Sequence, residues 1–330
     1  MMISMGHRTA LFDTMSRMQP STRRQIASAA DLDERYVREW LGAIVTGRIV
    51  EYDPANQTYK LPAEHAALLT RDTNVENFAA TMQWIAVLGR VESDIVDCFH
   101  RGGGVHYAAF ERFHEVMAEE SDASVVNALS DHILPLVPEV EQHLNLGIDV
   151  ADIGCGSGRA LIALAEKFPN SSFAGFDFSE EAIDRANADA QRRKLTNVTF
   201  EVKDVADLGL TDRFDLMTAF DAIHDQRDPA TVLQQIQQAL REDGIFLMQD
   251  IRTSSQLEKN IDHPIAPFLF TISTMHCMTV SLALGGAGLG TCWGVELAEQ
   301  MLRDAGFPSV AIHDLPHDIM NSYFVAKKAS

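Results

Sequence analysis

Acids and glycines fall in a tight order in Val150-Ala-Asp-Ile-Gly-Cys-Gly-Ser-Gly-Arg159. Ile148, Val150, Ala151 and Ile153 read as a buried parallel strand, and Ala160-Leu-Ile-Ala-Leu164 opens a helical pattern. Gly154, Gly156 and Gly158 between them permit positive φ and let a ligand approach the backbone closely. A dinucleotide loop needs G-x-G-x-x-G/A, and counting from Gly154 its last position is Arg159, too large for helix and strand to pack. The spacing is instead G-x-G-x-G, with Asp152 two residues ahead of the first glycine. A strand, a glycine turn and a helix make the first unit of an open α/β sheet, which takes its ligand at the strand ends. A tight turn without any ligand is the alternative.

Asp177 closes the next strand, 23 residues after Gly154, where an acid accepts the ribose hydroxyls of an adenosyl group. A solvated acid at a strand end is the plainer reading. Phe178 beside it is placed to line an adenine. Asp204 and Val205 follow the third strand. The fourth strand ends in Phe220-Asp-Ala-Ile-His-Asp225. A histidine with an ordinary pKa near ~6.5 takes a proton at neutral pH, so His224 is a candidate general base. If a helix starts at Asp225 its carboxylate points elsewhere, and Asp250 at the end of the fifth strand is the nearest group to orient the ring. A structural role at a helix start stands equally open.

These residues need a sheet to hold them. Strands are expected at Ser172–Asp177, Val198–Lys203, Phe214–Phe220 and Gly244–Asp250, the last announced by a Glu242-Asp243-Gly244 turn. Helices are expected at Glu180–Arg193, Ala230–Arg241 and Val295–Ala305, and Val310–Leu315 and Tyr323–Lys327 close the sheet as an antiparallel pair. Regular β and α alternation predicts a mainly parallel sheet covered on both faces. Residues 253–294 interrupt that rhythm as a lid insertion, with a helix over 267–283 and a glycine-rich hinge at Gly285–Gly290. Phe268, Met275, His276 and Trp293 are candidates for a substrate-pocket wall, with ordinary core packing as the alternative.

The amino-terminal part has another grammar. Helices over Thr22–Ala30 and Glu34–Val45, then a hairpin of Arg48–Tyr52 and Gln57–Leu61, make a winged-helix unit. The expected domains are 1–72 (winged helix), 73–145 (helical linker and pocket roof) and 146–330. Six basic residues of the winged helix (Arg23, Arg24, Arg35, Arg38, Arg48, Lys60) face six acids (Asp31, Asp33, Glu34, Glu39, Glu51, Asp53), a poor balance for approaching phosphate. The chain of 330 residues carries a net charge of −20, which repels nucleic acid and anionic lipid. No run of 18 apolar residues occurs, so no membrane span is expected. Met1-Met-Ile-Ser-Met-Gly-His-Arg8 lacks the order of a signal peptide. Cys98, Cys155, Cys277 and Cys292 form no C-x-x-C pair, which fits a cytoplasmic location without structural zinc or another metal.

From the glycine loop onward the chain resembles class I S-adenosylmethionine methyltransferases. The resemblance implies a Rossmann-like, mainly parallel seven-stranded sheet with an antiparallel last strand, S-adenosylmethionine as cofactor, and Asp204 reaching the adenine amine. It places Asp152, Gly154, Gly156, Gly158, Asp177, Phe178, Asp204, Val205 and Phe220 at the cofactor. His224-Asp225 is similar to the His-Asp-Trp of plant-type small-molecule O-methyltransferases, with Gln226 in place of the tryptophan. Tyr36-Val-Arg-Glu-Trp-Leu41, Phe220–Asp225 and His276–Leu282 leading into Gly285–Gly290 resemble a bacterial winged-helix methyltransferase group with mycobacterial members. That group implies a homodimer acting on a hydroxyl, or a thiol, of a small apolar molecule. A cofactor-responsive DNA-binding regulator is the alternative.

Overall fold

The computed structural model describes residues 1–72, 77–121, 125–316 and 318–329. The chain forms two compact units, residues 1–89 with 115–123, and residues 90–114 with 124–330. The expected linker 73–145 is therefore not a unit of its own, because its helices are divided between the two; positions 73–76 and 122–124 lie outside the described residues.

In the first unit, helix Arg23–Ala30 opens on a capping box, Thr22 and Gln25 satisfying each other's backbone. Asp33 caps the next helix, Glu34–Thr46. Strands β1 (Ser21–Thr22), β2 (Glu51–Asp53) and β3 (Thr58–Lys60) form a small sheet in the order β1-β3-β2. Val37, Trp40, Leu41 and Ile44 are buried in this unit's own core, Phe12 meeting Trp40 edge-on, while Tyr36 stays 81% exposed. Of the six basic residues read from the winged helix, Arg23 pairs with Glu34, Arg35 with Glu39 and Lys60 with Glu51.

The second unit is built on β4 (Asp149–Ile153), β5 (Ser172–Asp177), β6 (Val198–Val202), β7 (Phe214–Phe220), β8 (Leu240–Ile251), β9 (Ser309–Asp314) and β10 (Asn321–Lys327). Their order is β6-β5-β4-β7-β8-β10-β9, with β10 antiparallel to both neighbours and the pairs from β6 to β8 parallel. Strand alternation sorts the core into two layers. Val150, Leu216 and Leu247 face helices Arg159–Lys167 and Glu180–Arg193, whereas Ile153, Met217, Phe246 and Met248 face Pro229–Ala239 and Val295–Asp304. Each fully buried side chain of this kind contributes about 1.5–3 kcal/mol.

Strand β8 starts at Leu240, earlier than the sequence suggests. The Glu242-Asp243-Gly244 segment is not a separate turn but an irregularity within the strand, where the register to β7 shifts and Asp243 takes φ +61°. The helix before it accordingly ends at Ala239 rather than Arg241.

The insertion carries one continuous helix: α over Ala266–Ile272, π over Ser273–Cys277, α again over Met278–Ala283. On length and composition alone these 18 residues could cross a membrane, with a mean hydropathy of 1.3, although no single run in them is wholly apolar. The buried side is polar, however. Thr279 Oγ1 accepts from the Val105 N–H at 2.8 Å and Ser281 Oγ donates to the Gln226 carbonyl at 2.8 Å, so the helix is tied into its own unit.

Candidate active site

Parallel strands running into loops leave a crevice where the strand order reverses, here between β4 and β7. A cavity of about 350 Å³ lies there. Gly154, Asp177, Phe178, Lys203, Asp204 and Val205 line it from the ends of β4, β5 and β6. Asp225, Gln226 and Arg227 line it from beyond β7, and Tyr107, Val280 and Leu284 from the other side.

The glycine loop is shaped by collisions it avoids. Gly154 has φ +68°, and a Cβ there would sit 2.5 Å from that of Ala222. The Gly156 N–H donates to Asp177 Oδ2 and the Ser179 N–H to Asp177 Oδ1, both at 2.8 Å. Burial raises the Asp177 pKa against the pull of these two bonds. A carboxylate offers about four acceptor sites, so two remain for a ligand's hydroxyls. Asp204 is exposed at the rim and caps the short turn Val205–Asp207, while Val205 is buried beneath it.

Other expected residues stand elsewhere. Asp152 does not line the cavity: it is buried under the loop and accepts a 2.6 Å hydrogen bond from Thr218, and burial pushes its pKa up to about 7. Gly156 and Gly158 shape the loop from outside the lining, and Phe220 packs half-buried against the core. Phe268 and Met275 are half-buried and also away from the lining. Trp293 does not line this cavity; its indole N–H donates to Asp250 Oδ1 at 2.9 Å.

His224 and Asp250 do meet. The ring Nδ1 lies 2.8 Å from Asp250 Oδ1, which also accepts from Trp293 and from the Ile251 N–H. Burial alone would lower the His224 pKa, but Asp250 outweighs it and holds the value well above the ordinary one, the nearby Cys277 thiol adding to the rise. His224 is buried beside Asp225 and does not itself line the cavity. Asp221, His224 and Asp250 each bring one ligand-type atom within 4.8 Å of the others, yet the hydrogen bonds on Asp250 already account for the pairing.

His276 sits in an aromatic cluster, stacked on Phe113 at 3.9 Å and edge-on to Tyr107 and Phe110. Burial lowers its pKa to about 3, so it is neutral, and its Nε2 has no partner among the described residues. Sequence reasoning missed Tyr107, and it turned the Asp225 carboxylate away on a helix start at that residue, whereas the helix begins at Pro229 and Asp225 lines the cavity. Tyr107 had one signal, the triple glycine before it: a Cβ on Gly104 would lie 1.9 Å from the Thr279 carbonyl oxygen. That close approach brings Tyr107 to the cavity.

Comparison with known proteins agrees with this geometry. Residues 1–71 match the Rv2258c-like winged HTH domain, and residues 144–272 match a methyltransferase domain. The fold is shared with solved methyltransferases. Along the chain, an Rv2258c-like winged HTH domain is followed by a methyltransferase domain. The (S)-coclaurine N-methyltransferase of Papaver somniferum is 29% identical over 105 residues, 32% of this chain and 30% of that protein. The 27-O-demethylrifamycin SV methyltransferase of Amycolatopsis mediterranei is 28% identical over 145 residues, 42% and 51% of the two chains. The chain thus spans about half or less of these curated relatives. Human N-acetylserotonin methyltransferase, solved in complex with S-adenosylmethionine, shares the fold at TM-score 0.72 and 14% identity, covering 100% of this chain and 93% of that one. An O-methyltransferase family protein from Burkholderia thailandensis does so at TM-score 0.65 and 14% identity, covering 100% and 94%.

Proposed function

We propose that the protein transfers the methyl group of S-adenosylmethionine to a hydroxyl, or secondarily a thiol, of a small apolar molecule. The observation that carries this reading is the meeting of Gly154, Asp177, Phe178, Asp204 and Val205 on one cavity next to the buried His224–Asp250 pair. The residues present fit the cofactor: Asp177 keeps free acceptor capacity for ribose hydroxyls, and Phe178, Asp204 and Val205 surround a place for adenine. S-adenosylmethionine supplies a methyl group on a positively charged sulfur, already a good leaving group.

The chain's own residues then have three tasks. The strand ends hold donor and acceptor in line, which supplies much of the rate. Tyr107, Val280 and Leu284 give the cavity its apolar side. His224 takes the acceptor proton, and Asp250 holds Nδ1 and stabilises the imidazolium that results. A base must be neutral to act, and the neutral fraction grows as pH rises through the folded pKa. With that pKa raised, the acid limb of the activity profile lies above the ordinary histidine value near ~6.5.

Replacing His224 with Ala should leave cofactor binding intact and lower turnover by about a hundredfold or more. Release of S-adenosylhomocysteine across a panel of small hydroxyl and thiol acceptors measures this; unchanged turnover removes the role. A homodimer, a cytoplasmic location and the absence of nucleic acid as a partner belong to the same proposal. The home-paired Arg23, Arg35 and Lys60 support the last of these. A mobility shift with duplex DNA at low salt and a solution mass test the partners.

A further inference from the structure

The ends of the strands follow one another across the cavity in sheet order: Asp204 after β6, Asp177 on β5, Gly154 after β4, and Asp225 beyond β7. With the adenosyl end at Asp204 and Asp177, Asp225 comes in strand order on the other side of Gly154, next in sequence to the base His224. We propose that Asp225 makes the site selective for a positive charge at the donor's sulfur, favouring the cationic methyl donor over the neutral thioether left after transfer. The proposal rests on the methyl-donor reading.

Charge carries the argument. Asp225 makes no ion pair among the described residues, whereas Arg227 lies near Asp204 and Lys203 near Glu201. Behind it stand two more acids, Asp221 and Asp250. Asp221 Oδ1 and Asp250 Oδ2 are buried and hydrogen-bonded to nothing among the described residues. Among the described residues only His224 offers a countercharge to the three carboxylates. Buried acids with too few partners are costly to ionise, and a cation beside them offsets that cost.

The groups facing Asp225 are His224 and Asp221 from its own loop, Asp250 from β8 and Asp177 from β5. The Tyr107 phenol and the Cys277 thiol, both pushed up by burial, feel it as well. Burial raises the Asp225 carboxyl to about 7, with His224 opposing and the three acids adding to the rise. A cation arriving there draws out the ionised form, so affinity for a charged donor rises with pH through this range. A neutral thioether gains nothing comparable. The same acid therefore loosens the product once the charge has left the sulfur.

Calorimetry on the full chain tests this with three probes that share the adenosine and the amino-acid tail. S-adenosylmethionine and sinefungin carry a positive charge at or beside the sulfur position, and S-adenosylhomocysteine does not. The wild type should bind both cations about tenfold or more tightly than S-adenosylhomocysteine near pH ~8, and Asp225→Asn should bring all three within about threefold. Lowering the pH to about 6 should shrink the wild-type ratio and leave the variant's flat. A ratio unchanged in Asp225→Asn, or an equal loss for all three probes, overturns the inference. If the variant fails to fold by circular dichroism, the wild type decides: a ratio constant with pH overturns it equally. Wild-type protein that binds none of the three defeats the donor reading itself, a result distinct from binding without charge preference.

Discussion

The two edges of one sheet treat their acids in opposite ways. At the amino ends of β4 and β7, Asp149 meets Arg213 at 2.8 Å and Arg241 at 2.7 Å, and Asp215 pairs with Arg241 while accepting the Asp149 N–H. At the carboxyl ends, Asp152, Asp177, Asp221, Asp225 and Asp250 have among them one imidazole and a few neutral donors. Burial raises the pKa on both edges, but Arg241 and Arg213 overcome it for Asp149 and hold that carboxyl below its usual range. Asp152 and Asp225 rise to about 7 and Asp221 to about 6. One edge closes its charges to hold strands together. The other leaves its acids short of countercharge, two of them, Asp177 and Asp225, on the cavity.

The largest expected effect tests the open edge. Asp250→Asn keeps the shape but weakens the orientation of His224, and turnover should fall about a hundredfold or more with cofactor binding retained. Turnover within a few-fold of wild type would mean that Asp250 serves packing alone.

Stability separates the edges next. Arg241→Ala strips a partner from Asp149 and Asp215; because the guanidinium is partly exposed, the loss should be about 1 kcal/mol in urea unfolding. Asp221→Asn at the other edge removes a half-buried acid whose Oδ1 has little support and should be neutral or stabilising. The reverse order of stabilities would contradict the contrast.

The smallest effect is on pH. An acid raised in the folded state stays protonated there while the unfolded chain ionises, so stability falls between the usual carboxylate pKa, about 4, and the folded value. Asp152, Asp221 and Asp225 act this way up to about 6 or 7. His224, raised as a base, adds stability below its ordinary pKa that is lost as pH climbs through the folded one. Without ligand, the melting temperature should therefore be higher near pH ~5.5 than near pH ~7.5, and Asp152→Asn should narrow the gap. A melting temperature that instead rises across this range would show these acids ionised in the folded protein.

The sheet was legible because its strands are short apolar runs set between turns, and Ser172–Asp177 and Phe214–Phe220 lie where their patterns end. Asp177 and the His224–Asp250 pair followed from strand ends, whose direction a parallel sheet determines. The cavity's other side was not legible. Tyr107 reaches it through a glycine approach to Thr279, a contact 175 positions away that leaves no local periodicity. Trp293 read as pocket lining because an indole is largely apolar, yet its N–H found a buried carboxylate. Phe268 and Met275 were placed by helical spacing, and the π segment that follows Ile272 alters that spacing.

That π segment also bears on how the insertion helix is aimed. Winding Ser273–Cys277 as ordinary α-helix without removing a residue would turn everything after it by about 100°. Val280 would swing away from the cavity wall and Thr279 away from the Val105 N–H. The extra residue of the π turn thus sets where the second half of the helix aims, and a single-codon loss inside it would be absorbed as ordinary α-helix.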